Sequence, residues 1–165
     1  MGSPIWQPAG GKLGGALQLD GIDDYIKTPF VVDPTKGPFS VFAWIKGGAP
    51  GQVILSQDKG ANWLRAATTS GVLATELNEA GRNAAKNLLS SVVITDGAWH
   101  RVGLVWDGMT RTLYVDDVEV PQGTQGKPPS SPGGLYKGAG STLAPGTFWS
   151  GLIDDVRIYN RAVKP

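Results

Sequence analysis

Cysteine is absent from this chain of 165 residues. That removes disulfides, thiolate nucleophiles and cysteine-based zinc sites together. It does not exclude secretion, because a large β-sandwich can be stable without disulfides. Charge is scarce: Asp, Glu, Lys and Arg make up 18% of the chain, and the formal net charge is +1. No electrostatic case for nucleic acid or an anionic membrane surface follows from such a balance. No apolar run approaches the ~18 residues of a spanning helix, so membrane insertion is not expected. A basic–apolar–small leader is also missing. Met1-Gly2-Ser3 has the look of an added start, so a native targeting segment is expected to lie outside this sequence. Histidine occurs once, at His100, and glutamate only at Glu76, Glu79 and Glu119. No repeat at solenoid or propeller spacing is present.

What the chain has in plenty is turn residues. Gly 24 and Pro 12 fall between short apolar runs rather than in one linker, the pattern of an all-β domain with many turns. The clearest stretch is Thr95 to Val120. Trp99 to Trp106 alternates, with His100, Val102, Leu104 and Trp106 on one face. Asp107-Gly108 supplies a turn, Thr112 to Val115 a second strand, Asp116-Asp117 another turn, and Val118-Glu119-Val120 a third strand. A meander of two or three strands buries too little to stand alone, so the rest of the chain must complete a sheet core.

Phe39, Val41, Ala43 and Ile45 alternate with Ser40, Phe42, Trp44 and Lys46. Both faces are largely apolar, so this is read as a central strand covered on both sides. Further strands are expected at Ala16–Leu19, Tyr25–Lys27, Gln52–Gln57, Trp63–Arg65, Val72–Ala74, Leu88–Ile94, Leu135–Gly138, Thr147–Trp149 and Leu152–Tyr159. Residues 1–15 are expected to be irregular, with Trp6 a lid tucked onto the sandwich edge or, alternatively, an exposed aromatic, 76–87 a helical turn or loop hairpin, and 121–132 a surface loop. About a dozen short strands with no helix predict one all-β domain over residues 1–165, a two-sheet antiparallel β-sandwich.

Four segments carry a family resemblance: Gly15 to Ile26 (GALQLDGIDDYI), Phe39 to Lys46 (FSVFAWIK), Asp96 to Val102 (DGAWHRV) and Gly151 to Ala162 (GLIDDVRIYNRA). Together they resemble the laminin G-like modules of the concanavalin A-like lectin/glucanase superfamily, in the form common in bacterial multidomain proteins. The resemblance implies a jelly roll with the first and last strands side by side, which would bring the Asp20 turn near the Asp154 strand. It further implies an extracellular or cell-surface location, tethering to other domains, and a glycan or cell-surface or matrix ligand as partner.

Leu152, Asp154, Val156 and Ile158 share parity, so Asp154 is expected to face the core. A carboxylate there needs hydrogen bonds or a cation. Asp20 and Asp24 lie in the turn that the resemblance places nearby, and hard oxygen ligands of this kind are what calcium takes. Asp20 and Asp154, completed by loop carbonyls, are the expected calcium ligands. Asp24 is a third candidate ligand, the alternative being that it faces solvent beyond the turn. The alternative is an Asp154 that accepts backbone N–H bonds without a metal.

For sugar binding, an exposed aromatic ring with Asn, Asp or Arg beside it is required. Asn62-Trp63-Leu64-Arg65 with Arg82-Asn83 would supply those groups if their loops converge. The competing reading makes all six Trp framework, with Trp44 and Trp99 at positions the resemblance assigns to the core. His100 is read as structural. Glycosidases place paired carboxylates on one strand face. Glu76 and Glu79, like the adjacent Asp116-Asp117 and Asp154-Asp155, fail that test. The leading expectation is a non-catalytic, lectin-like carbohydrate-binding module. The alternatives are an adhesive protein-interaction domain and a glycan hydrolase.

Overall fold

The computed structural model describes residues 2–77, 88–120, 128 and 133–165. The strands are Ile5–Gln7 (β1), Ala16–Asp20 (β2), Ile26–Lys27 (β3), Phe39–Gly47 (β4), Val53–Gln57 (β5), Asn62–Ala66 (β6) and Val72–Thr75 (β7). They continue with Leu88–Val93 (β8), Trp99–Trp106 (β9), Arg111–Val115 (β10), Val118–Glu119 (β11), Leu135–Lys137 (β12) and Ser150–Tyr159 (β13). There is no helix among the described residues. Two sheets form, in the orders β1-β2-β13-β4-β9-β10-β11 and β3-β12-β5-β6-β7-β8, with every pairing antiparallel. The expected sandwich is therefore present, and β2 and β13 are neighbours.

One main core lies between the sheets. The alternation of β4 puts Phe39, Val41, Ala43 and Ile45 into it, and β9 adds Val102, Leu104 and Trp106. Trp63 and Trp149 fill it from the other side, Trp63 packing on Phe39 with ring centroids 5.1 Å apart. Ring contacts of this kind add to the burial of the apolar surface itself. Hairpin turns fix the meander. Asp107 Oδ1 accepts the N–H of Met109 and of Thr110, and Asp116 and Asp117 take φ of 53° and 65°. Positive φ at both central residues matches the twist of the strands it joins.

The outer face of β4 is covered by the chain's own ends. Ser40, fully buried, donates to Arg161 O and accepts the Val163 N–H, which ties down the C-terminal tail. At the other end, Lys12 lies over the Trp44 ring at 5.2 Å. This explains why both faces of β4 read as apolar.

Four expectations are corrected. Residues 5–7 are a strand, because they add to the edge of β2. Trp6 is 60% exposed, so it lies on the edge without being buried by it. The last strand begins at Ser150, and Thr147–Trp149 is not extended. Trp63, Trp106 and Trp149 are the buried tryptophans, whereas Trp44 and Trp99 are only partly covered. Residues 78–87 and most of 121–132 lie outside the described residues.

Candidate functional site

The six-stranded sheet turns one row of side chains away from the core. Register places Arg65 of β6 opposite Ala74 of β7, and Ala74 opposite Leu89 of β8. Directly opposed residues share a face. A small side chain thus stands between two long ones, and a groove opens above Ala74. It measures about 220 Å³, with Thr68, Thr69 and Glu76 along its polar side and Leu89, 47% exposed, on its apolar side.

Glu76 organises the polar wall. It accepts from Arg65 Nη1 and from Asn62 Nδ2. Arg65 Nη2 donates to Thr68 Oγ1 at 3.0 Å. Asn62 Oδ1 accepts the Ser141 N–H at 2.9 Å, which ties the network to the loop after β12. Burial holds the Arg65 guanidinium below the ordinary arginine range. A charged, planar fork fixed in this way can hydrogen-bond a ligand without first being ordered.

The structure therefore brings Asn62 and Arg65 together, as the sequence predicts, and removes Trp63 from the set. Trp63 is 0% exposed and packs in the core, because a register shift in the β5–β6 pairing interrupts the alternation and lets it join Leu64 on the inward side. It cannot stack a sugar. Arg82 and Asn83 lie outside the described residues. Glu76 and Ala74 were missed as site residues. Ala74 has no sequence signal, since its importance lies in what its side chain lacks.

The expected calcium ligands do not converge. Register sets Asp20 opposite Ser150, four residues along β13 from Asp154. Asp154 also faces outward, not into the core. It lies opposite Trp44, while Ile153 faces Ile45 in the interior. A bulge between Asp154 and Arg157 then shifts the alternation, with Asp155 at φ 48°. An extra residue reverses parity, so Val156 and Ile158 pack on the core and Asp154 does not share their face. Asp154 is nevertheless 8% exposed, because the segment before β2 crosses it. Its Oδ2 accepts the Leu13 N–H at 2.8 Å. A Cβ on Gly11 would come within 2.7 Å of the same oxygen. Asp154 is thus the carboxylate that accepts a backbone N–H, which was the metal-free alternative.

The turn after β2 assembles its own set instead. Carboxylate oxygens of Asp20, Asp23 and Asp24 lie within 4.8 Å of one another. Asp20 Oδ1 accepts the N–H of Ile22 and Asp23, and Asp24 Oδ2 accepts the N–H of Asp20. Asp24 is the buried member at 5% exposure, so the solvent-facing alternative does not hold. Burial raises its pKa, the Asp20 N–H opposes that, and the neighbouring Asp20 and Asp23 charges raise it further. Asp20 is held low by the Ile22 N–H. All-oxygen donors of one sign at this spacing fit a hard cation such as calcium.

His100 is held within the framework. It is 7% exposed at the end of the core row of β9. Its Nδ1 lies 2.8 Å from Asp116 and its Nε2 3.0 Å from Asp96, so it pins the loop before β9 to the β10–β11 turn.

Comparison with known proteins places the fold. No curated protein sequence matches the chain. Among solved structures, it is similar to domain 4 of AbnA, an extracellular GH43 arabinanase from Geobacillus stearothermophilus, in complex with arabinotriose. The identity is 20% and the TM-score 0.69, over 99% of this chain and 78% of that one. It is similar to the binding domain of Paraclostridial Mosquitocidal Protein 1, at 11% identity and a TM-score of 0.74, over 97% of this chain and 43% of that one. It is also similar to Trypanosoma rangeli sialidase in complex with sialic acid, at 14% identity and a TM-score of 0.69, over 99% of this chain and 27% of that one. These likenesses are of fold. A family model matches residues 20–165, nearly the whole chain, and on that match the protein belongs to the concanavalin A-like lectin/glucanases superfamily.

Proposed function

We propose that this domain is a non-catalytic, carbohydrate-binding module of a larger extracellular or surface protein. The groove above Ala74 carries the reading. Its two walls differ in the way the two sides of a sugar ring differ. Leu89 offers an apolar surface to the ring's C–H face. Arg65, Thr68 and Thr69 offer donors and acceptors to its hydroxyls. The polar wall is preorganised by Glu76, which lowers the ordering cost of binding. The arabinotriose held by the similar arabinanase domain supports a glycan as the ligand class.

Hydrolysis is not part of this function. Glycoside cleavage needs two carboxyl groups facing one another across the sugar. Glu76 is committed to Arg65 and Asn62, and Glu119 is exposed on the short β11. Calcium is proposed at Asp20, Asp23 and Asp24, where it would neutralise three carboxylates and secure the turn next to β13.

A glycan array tests the reading. The wild-type domain should retain a defined subset of glycans and release no reducing ends from them. Ala74→Leu should fill the groove and lose retention while melting at the same temperature. Equal retention by that variant would place the ligand elsewhere. Retention of no glycan would leave the adhesive, protein-binding alternative.

A further inference from the structure

A second cavity opens between the sheets at the edge where β1 and β2 face β3 and β12. It measures about 230 Å³. Leu17, Ile26 and Val156 line it, and Trp6 forms its outer wall. Trp6 lies opposite Leu17 in register, so both are on the inward face. The indole rests on Gly15, where a Cβ would come within 2.2 Å of the ring. Glycine at this position is what lets the ring lie flat along the cavity.

One charged side chain enters this apolar space from β12. Leu135 and Lys137 share the inward face of the strand, whereas Tyr136 between them packs outward against Tyr25. Among the described residues the Lys137 ammonium has no hydrogen-bond or ion-pair partner. The two acidic residues at the cavity's rim are engaged elsewhere: Asp154 holds the Leu13 N–H, and Asp155 pairs with Arg157. A half-buried cation without a counter-charge is costly, and an anion that fits would relieve the cost.

We infer that this cavity binds a small carboxylate with an apolar body, its carboxylate on Lys137 and its body beneath Trp6. A cavity of roughly 150 Å³ takes benzene, so the space observed holds a ring with a short acid arm. The unpartnered Lys137 ammonium and the mainly apolar lining favour this class over a sugar acid, whose hydroxyls would lose water without gaining partners. Burial alone depresses the Lys137 pKa, with no carboxylate near enough to raise it. Affinity should therefore fall with rising pH, beginning below the ordinary lysine value of about 10.4.

The test is calorimetric titration of the whole domain with 3-phenylpropanoate, its neutral amide and glucuronate. The acid should bind at least about tenfold more tightly than the amide, and glucuronate should not bind. Lys137→Met should abolish the preference for the acid, and a melting curve shows whether that variant is folded. Trp6→Ala should weaken acid and amide together. Ala74→Leu should leave both unchanged, which separates this cavity from the glycan groove. Equal binding of acid and amide, binding of glucuronate, unchanged preference in Lys137→Met, or no binding of the acid would each overturn the inference.

Discussion

Arg65 and Lys137 stand on the same sheet, and burial pulls the pKa of each down. They differ in direction and in company. Arg65 points outward and is held by Glu76, Thr68 and the Ala66 carbonyl. Lys137 points inward and has no partner among the described residues. The difference separates two roles for a half-buried charge. A cation whose hydrogen bonds are already made is a fixed wall, against which a ligand adds contacts. A cation without them waits for a ligand to complete it.

Breaking the Arg65 network should cost the most. Glu76→Ala removes the carboxylate to which both the Arg65 guanidinium and the Asn62 amide donate. The pair is partly open to solvent, with Glu76 34% exposed, so the loss is discounted to about 1–3 kcal/mol. A urea midpoint unchanged from wild type would erase the distinction between the two cations.

Asp154 sharpens the comparison from the other sheet, as a carboxylate tied to the framework by the Leu13 N–H. Asp154→Ala should cost about 1–2 kcal/mol by orphaning the Leu13 N–H. It should also free the segment before β2, as amide hydrogen exchange at Leu13 would record. Asp155→Gly should be milder, since glycine relieves the positive φ. Equal losses of urea midpoint in the two variants would contradict the bulge assignment.

Lys137→Met should be neutral or stabilising, by up to about 1 kcal/mol, because it removes an uncompensated charge and keeps the volume. A loss as large as that of Glu76→Ala would mean that Lys137 has a structural partner.

His100 gives the smallest effect. Burial pushes its pKa down, but the hydrogen bonds to Asp116 and Asp96 outweigh that, and the pKa is raised above 6.5. The proton is therefore held more tightly in the folded state. The stabilisation is complete below the unfolded value and is lost as pH rises through the folded one. The melting-temperature gap between wild type and His100→Gln should narrow as the pH rises through 6.5 and above it. A gap that widens would reverse the sign of the shift.

Chelation offers a separate check on the Asp20 turn. Calcium bound only by the folded state should raise the melting temperature, and a chelator should lower it by a few degrees. Superimposed curves would argue against the ion.

The sandwich was legible because its signals are local. Alternation in 39–46 and 99–106 and the turns at Asp107-Gly108 and Asp116-Asp117 each lie within a few residues. The sites were not, because they depend on the register between paired strands. Ala74 becomes a groove floor only once Arg65 and Leu89 flank it. Simple parity failed for Asp154, since a bulge shifts the alternation at Asp155. The signal available was Asp-Asp inside a strand, where aspartate is disfavoured except at positions that tolerate positive φ. Trp63 misled because a tryptophan beside Asn and Arg looks like a sugar platform until its face is known.

The central claim is that the preorganised groove above Ala74 binds a glycan without cleaving it. The most direct measurement is the array comparison of wild type with Ala74→Leu, with each retained glycan assayed for released reducing ends. Retention by wild type alone, with no release, is the predicted result. Equal retention by both proteins, or release from any retained glycan, would contradict the account.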